Sequence, residues 1–116
     1  MYLLDEPSAY LDVEQRLNVS KVIKDIAETK GKSVLVVDHD VLFIDYLSKN
    51  LIVFEGVPAE SGTAKGPFTM EEGMNIFLEN LGITFRRDDG NNRPRANKLG
   101  SQMDRKQKEE NKLYYL

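Results

Sequence analysis

Residues 1–12 read MYLLDEPSAYLD, and residues 33–40 read SVLVVDHD. In both stretches a short apolar run ends at acidic residues, Asp5-Glu6 in the first and Asp38 in the second. Short apolar runs without polar alternation are typical of strands that are buried in a parallel sheet. The two stretches therefore predict neighbouring strands of an α/β sheet, with polar residues at their carboxyl ends.

A helix is predicted between these two strands. Asp12 is suited to cap its first turn, with Gln15 as the reciprocal partner of a capping box. Gly31 is placed where a helix commonly ends. A shorter helix over residues 41–47 and a third strand over residues 51–54 follow.

The composition changes at residues 57–67, which are rich in Gly, Pro, Ser and Ala. This change predicts a loop and a boundary between two parts of the chain. Beyond it, Thr69 and Glu72 predict a second capping box at the start of a helix that ends at Gly82. A short strand over residues 83–86, an extended segment over 93–98 and a last helix from Ser101 into residues 113–116 complete the prediction.

Length and composition limit the class of protein. The 116 residues suit one small domain, and 41% hydrophobic with 30% charged residues indicates a folded chain. The lack of cysteine excludes a disulfide scaffold, a thiolate zinc site and an iron–sulfur cluster within these residues. Neither a signal peptide nor a membrane span is predicted, so a cytoplasmic protein is expected.

The net charge of −3 conceals an uneven distribution. Residues 1–84 contain 7 Lys and Arg against 14 Asp and Glu, whereas residues 85–116 contain 9 against 5. A basic tail on an acidic body is compatible with a nucleic-acid contact, and also with a solvated helical surface.

The residues at the strand ends indicate nucleotide chemistry. Open α/β sheets bind ligands at the carboxyl ends of their strands. There, Asp5 could hold a magnesium ion that bridges nucleotide phosphates, and Glu6 could orient or deprotonate an attacking water. His39 follows the next strand, where its imidazole could reach the γ-phosphate.

Residues 2–8 resemble the Walker B segment of ABC-type ATPases, residues 9–12 resemble their D-loop, and His39 matches their switch histidine. The D-loop departs from the common Ser-Ala-Leu-Asp pattern at Ala9 and Tyr10. The tail is more specific, since residues 82–88, 93–98 and 104–115 resemble the RNase L inhibitor family. Its members are twin-ATPase ribosome-recycling factors of archaea and eukaryotes. This resemblance covers essentially the whole chain.

The resemblance implies a partial P-loop ABC-type ATPase core over residues 1–67 and a small α+β hinge extension over residues 68–116. It implies that Asp5 supports Mg²⁺ through water, that Glu6 is the general base, and that His39 contacts the γ-phosphate of ATP. It further implies that Asp12 reaches across the interface between two ATPase halves.

The partners that the resemblance implies are a ribosomal subunit with its rRNA and the other ATPase half, with no membrane and no DNA. Four arginines of the extension are the candidates for ribosome or hinge contact: Arg86, Arg87, Arg93 and Arg95. Pairing of these arginines with local acids such as Asp88 and Asp89 is the alternative. The family's iron–sulfur clusters would lie outside this chain.

The chain has no G-x-x-x-x-G-K-[ST] phosphate loop and no ABC signature segment. We therefore expect a fragment of an ABC-type ATPase that splits ribosomal subunits, and we expect the 116 residues alone to be inactive. Two alternatives stay open: a non-catalytic module that binds the ribosome or a partner, and a fragment of another ABC-type ATPase.

Overall fold

The computed structural model describes residues 1–114. Tyr115 and Leu116, which the sequence analysis places in the last helix, lie outside the described residues. The chain folds into two compact units, Met1–Ser48 and the part from Lys49 onward.

The first unit has the order strand, helix, strand, helix: β1 (Tyr2–Asp5), α1 (Val13–Glu28), β2 (Val34–Val37) and α2 (Val41–Leu47). β1 and β2 pair in parallel, with Tyr2 opposite Val34 and Asp5 opposite Val37. The predicted parallel pair is therefore confirmed. The two helices contact each other, and Ile23 of α1 and Phe43 of α2 are buried.

The helix caps largely agree with the sequence analysis. The Asp12–Gln15 capping box is present at the start of α1. α1 ends earlier than predicted, because Thr29 rather than Gly31 follows its last residue as the C-cap. The prediction that β1 and β2 are buried strands is wrong: Leu3 is 66% exposed and Val37 is 53% exposed. The reason is that Leu3, Leu35 and Val37 share one face of the strand pair, and this face is open to solvent, whereas Leu4, Val34 and Val36 on the other face are partly buried.

The second unit begins with an antiparallel hairpin of β3 (Asn50–Val57) and β4 (Ser61–Thr69). The predicted loop over residues 57–67 is therefore wrong for most of its length, because this segment continues the backbone pairing with β3. The predicted division of the ATPase core from the extension at residues 67 and 68 stays a prediction. The compact units instead divide before the hairpin, because β3 and β4 both contact the following helix.

That helix, α3 (Met70–Leu81), begins at the predicted Thr69–Glu72 capping box and ends at Gly82. Gly82 has a φ of 68°, a left-handed conformation that glycine adopts without a side-chain penalty. α3 lies close to β3, since a Cβ on Gly73 would be 2.7 Å from the Cβ of Leu51. Val53, Met74 and Leu78 are buried in this unit.

The chain continues through β5 (Phe85–Arg87), β6 (Pro94–Ala96) and α4 (Gln102–Glu109). β5 and β6 form an antiparallel hairpin, and Ser101 caps α4 as predicted. The prediction that this last helix reaches residues 113–116 is wrong, because it ends at Glu109 and Tyr114 instead forms a bridge with Phe85. The predicted α/β core followed by an α+β segment is confirmed. None of the described helices is long and apolar enough to cross a membrane.

Candidate functional site

Two loops meet at the carboxyl ends of β1 and β2. The parallel register brings Asp5 beside Val37, and the amide of Glu6 donates a hydrogen bond of 2.7 Å to the carbonyl of Val37. The residues that follow the two strands therefore lie at one edge of the pair. Asp5, Glu6 and His39 are all exposed at this edge.

Glu6 and His39 are in direct contact across the two loops. The Nδ1 atom of His39 lies 3.2 Å from the Oε1 atom of Glu6. The histidine side chain is 77% exposed and the glutamate side chain is 48% exposed, so the pair faces solvent. With Nδ1 directed at the carboxylate, Nε2 is left as the ring nitrogen that can meet a ligand. The pair therefore combines the carboxylate of Glu6, which can accept a proton, with the imidazole of His39, which can bind a ligand.

Glu6 reaches this position through an uncommon backbone conformation. Its φ is 47°, which non-glycine residues seldom adopt. Such conformations persist where the surrounding structure holds them, and they are enriched at functional sites. Tyr10, in the predicted D-loop, also has a positive φ of 61°.

Asp38 connects the two loops. Its Oδ2 accepts a hydrogen bond from the backbone amide of Ser8 at 3.1 Å, and its Oδ1 accepts one from the Ser8 hydroxyl at 2.8 Å. The amides of His39 and Asp40 also donate to Oδ1. Burial by itself raises the pKa of Asp38, but the hydrogen bonds from Asp40, Ser8 and His39 outweigh it and lower this pKa.

Asp40 fixes the start of α2. Its side chain accepts a hydrogen bond of 3.0 Å from the amide of Phe43 and forms an ion pair with Arg16 of α1. The Nε atom of Arg16 is buried and has no hydrogen-bond partner within the described part of the chain. The loop around His39 is thus held by Ser8 on one side and by α1 on the other.

The sequence motifs indicate no role for Ser8, Asp38, Arg16 or Asp40. Ser8 and Asp38 are 30 residues apart, so no local spacing rule relates them. The one available signal was the pair of aspartates on either side of His39, because short acidic side chains after a strand readily accept backbone hydrogen bonds.

The edge of the sheet suits an Mg²⁺ ion that is held mainly by water and substrate phosphates. Residues 1–114 contain no cluster of three or more acidic, histidine or cysteine side chains that could by itself hold a metal ion. Mg²⁺ is commonly bound through one or two carboxylates, substrate phosphates and several waters, and not by an all-protein cage. The exposed carboxylate of Asp5 can serve as such a ligand.

Asp12 has a structural role in this chain. Its Oδ1 accepts a hydrogen bond of 2.8 Å from the amide of Gln15, and the side chain of Gln15 accepts one from the amide of Asp12. Asp12 is exposed at the start of α1. The described contacts of Asp12 explain it as a helix cap.

The arginines of the extension lie on the β5–β6 hairpin and the turn next to it. Arg86 is directly opposite Arg95 in the pairing register. The Nε atom of Arg95 lies 3.2 Å from Oδ2 of Asp88, and Arg87 donates a hydrogen bond to the carbonyl of Asn92. Arg86, Arg93 and Arg95 are exposed, while Arg87 is partly buried. Local pairing therefore accounts for part of this group.

A buried polar network supports the hairpin. The Thr84 hydroxyl donates a hydrogen bond of 2.7 Å to Asp104, which is 2% exposed. This hydrogen bond is the largest influence on Asp104, and together with the Gly100 amide and Lys108 it lowers the pKa of Asp104 to about 2. Gln107 donates to the carbonyl of Phe85, so α4 is joined to β5.

Comparison with known proteins shows that the similarity indicated by the motifs covers the whole chain. No family model matches the chain. An uncharacterized ABC transporter ATP-binding protein of Methanocaldococcus jannaschii is 56% identical over 116 residues, which is all of this chain and 19% of that protein. The translation initiation factor RLI1 of Saccharomyces cerevisiae is 47% identical over the same length, again 19% of that protein. The chain spans about a fifth of the length of these curated relatives.

Solved structures agree with these relatives. The archaeal ribosome recycling factor aABCE1, solved in complex with the ribosomal stalk protein aP1, superposes with a TM-score of 0.92 at 61% identity. That match covers 99% of this chain and 22% of the other. An RNase-L inhibitor gives the same TM-score and identity over 98% of this chain and 22% of its own. From its motifs, its relatives and its fold, the chain belongs to the RNase L inhibitor family of ABC-type ATPases.

Proposed function

We propose that the two loops after β1 and β2 form part of a site that hydrolyses ATP with Mg²⁺. The observation that carries this proposal is the contact of 3.2 Å between Glu6 and His39, beside Asp5, at the carboxyl edge of a parallel strand pair. Ligands of open α/β sheets bind at this edge. Membership of an ABC-type ATPase family supports ATP as the nucleotide.

Each residue of the edge has a distinct proposed role. Glu6 accepts a proton from the attacking water, because its carboxylate is half-exposed and can contact both solvent and substrate. His39 holds the γ-phosphate through Nε2, since its Nδ1 faces Glu6. Asp5 holds Mg²⁺ through water, and the ion neutralises charge on the phosphates when it is bound.

Other parts of the site must come from outside these residues. The 116 residues contain no phosphate loop, whose backbone amides and lysine normally cradle the phosphates. We propose that a protein of the relatives' length, called the complete protein below, supplies this loop and a second ATPase half. Asp12, exposed at the start of α1, is the proposed contact with that second half. The family's iron–sulfur clusters would lie outside this chain.

We further propose that the complete protein uses ATP binding and hydrolysis to separate ribosomal subunits in the cytoplasm. Support comes from the names of its relatives, which include a translation initiation factor and an archaeal ribosome recycling factor. The proposed partners are a ribosomal subunit and its rRNA.

The β5–β6 hairpin is the proposed ribosome contact within this chain. Arg86 and Arg95 lie directly opposite each other, an arrangement that is unfavourable between like charges in an isolated sheet. An anionic partner would offset the repulsion that remains beside the ion pair of Arg95 with Asp88. Arginines bind phosphate through a planar pair of N–H donors, so a phosphate backbone is the ligand that fits best.

Phosphate release from ATP by the complete protein tests the hydrolysis site. Glu6→Gln preserves the size of the side chain but removes the proton acceptor, so kcat should fall about 100-fold or more. Glu14→Gln makes the same chemical change at an exposed residue of α1 and should leave kcat unchanged. If Glu6→Gln retains normal turnover, Glu6 is not the general base, and the better account is that this chain is a non-catalytic binding module within the complete protein.

A further inference from the structure

A single carboxylate links the loop that carries Glu6 to the loop that carries His39. Asp38 accepts two hydrogen bonds from Ser8, one from its amide and one from its hydroxyl. Ser8 is 3% exposed, so water has little access to replace either bond. Two further contacts join this part of the chain. Glu6 contacts His39, and the Glu6 amide donates a hydrogen bond to the carbonyl of Val37 at the end of β2.

The same carboxylate also shapes the backbone of the histidine loop. Oδ1 of Asp38 lies 2.8 Å from the amide nitrogen of His39 and 3.0 Å from that of Asp40. With the two bonds from Ser8, the carboxylate accepts four hydrogen bonds, which is about its full capacity. Oδ1 accepts three of these bonds and Oδ2 accepts one, so protein donors take up most of the acceptor capacity of Asp38.

We propose that Asp38 is a positioning residue, anchored by Ser8, that sets the distance between Glu6 and His39 for hydrolysis. This inference rests on the proposed function. Glu6 lies two residues before Ser8, and His39 comes directly after Asp38. Any change in the link between Ser8 and Asp38 therefore displaces one partner of the pair relative to the other. A displacement of about 1 Å can lower catalysis about 100-fold.

Two substitutions weaken the link to different extents. Asp38→Asn preserves the shape of the side chain, but its NH₂ group replaces one acceptor oxygen and opposes a donor of Ser8. Ser8→Ala removes the hydroxyl bond alone and leaves the bond from the backbone amide. Asp89→Asn is the matched control, because Asp89 is an exposed aspartate of the other unit.

The test is steady-state ATP hydrolysis by the complete protein carrying these variants. We expect kcat to fall about 10-fold or more for Asp38→Asn and about 3-fold for Ser8→Ala, while KM for ATP changes less than about 2-fold. The double variant should be no slower than Asp38→Asn, because both changes break one link. Asp89→Asn should match the unmodified protein.

Three results would overturn the inference: unchanged kcat in Asp38→Asn, a rise in KM without a loss of kcat, or single effects that multiply in the double variant. If Asp38→Asn does not fold, Ser8→Ala decides the question, since a lower kcat supports the link and a normal kcat refutes it. Glu6→Gln is measured in parallel. Unchanged turnover there overturns the proposed function together with this inference, whereas loss in Glu6→Gln with normal Asp38→Asn overturns the inference alone.

Discussion

Replacing Asn75 with alanine should destabilise the second unit. Oδ1 of Asn75, on α3, accepts hydrogen bonds from the amides of Leu113 at 2.9 Å and Tyr114 at 3.0 Å. Both residues are buried, so solvent cannot readily take the place of the lost acceptor. Each bond contributes about 0.5–1.5 kcal/mol, and a buried donor left without an acceptor costs about 1–3 kcal/mol. Two donors lose their acceptor, so we expect Asn75→Ala to lower the free energy of unfolding by about 2–6 kcal/mol.

Urea denaturation followed by far-ultraviolet circular dichroism measures this difference. Asn80→Ala is the control, because it makes the same change on the same helix at an exposed residue that donates one hydrogen bond to Glu55. The control should stay within about 0.5 kcal/mol of the unmodified chain. Hydrogen exchange of the Leu113 and Tyr114 amides should accelerate only in Asn75→Ala. Equal stability of the two variants would refute the reasoning that Asn75 fastens the 113–114 segment.

Two further predictions concern the proposed function. The 116-residue chain alone should neither bind ATP tightly nor hydrolyse it, because it lacks the phosphate loop. Phosphate release by this chain that disappears in Glu6→Gln would contradict the expected inactivity. Replacing Arg93 and Arg95 together with alanine should weaken binding of the complete protein to ribosomal subunits and flatten its salt dependence, since fewer phosphate counterions are released. Lysine at both positions should restore part of the affinity. Unchanged ribosome affinity with impaired hydrolysis would instead assign these arginines to the hinge.

The elements with strong local signals could be predicted from the sequence. The Asp12–Gln15 and Thr69–Glu72 capping boxes and the end of α3 at Gly82 follow from short-range patterns. The parallel pairing of β1 with β2 follows from the order strand, helix, strand along the chain. β4 could not be predicted in this way. Its Gly, Pro, Ser and Ala residues read as a loop, and only backbone pairing with β3 makes it a strand.

The candidate site was predictable in its residue types but not in its connections. Motif resemblance pointed to Asp5, Glu6 and His39, and the structure brings the last two into contact. The bonds from Ser8 to Asp38, like those from Leu113 and Tyr114 to Asn75, join residues 30 or more positions apart. No helical or strand periodicity relates such residues, so these links required the folded structure.

The state of the nucleotide retained by Glu6→Gln tests the central claim most directly. The complete protein with this substitution is incubated with Mg²⁺ and radiolabelled ATP, separated from free nucleotide, and the bound nucleotide is identified by chromatography. Because the amide cannot accept a proton from water, binding should persist while hydrolysis stops, and the retained nucleotide should be ATP. Recovery of ADP at the level of the unmodified protein would contradict the assignment of Glu6 as the general base.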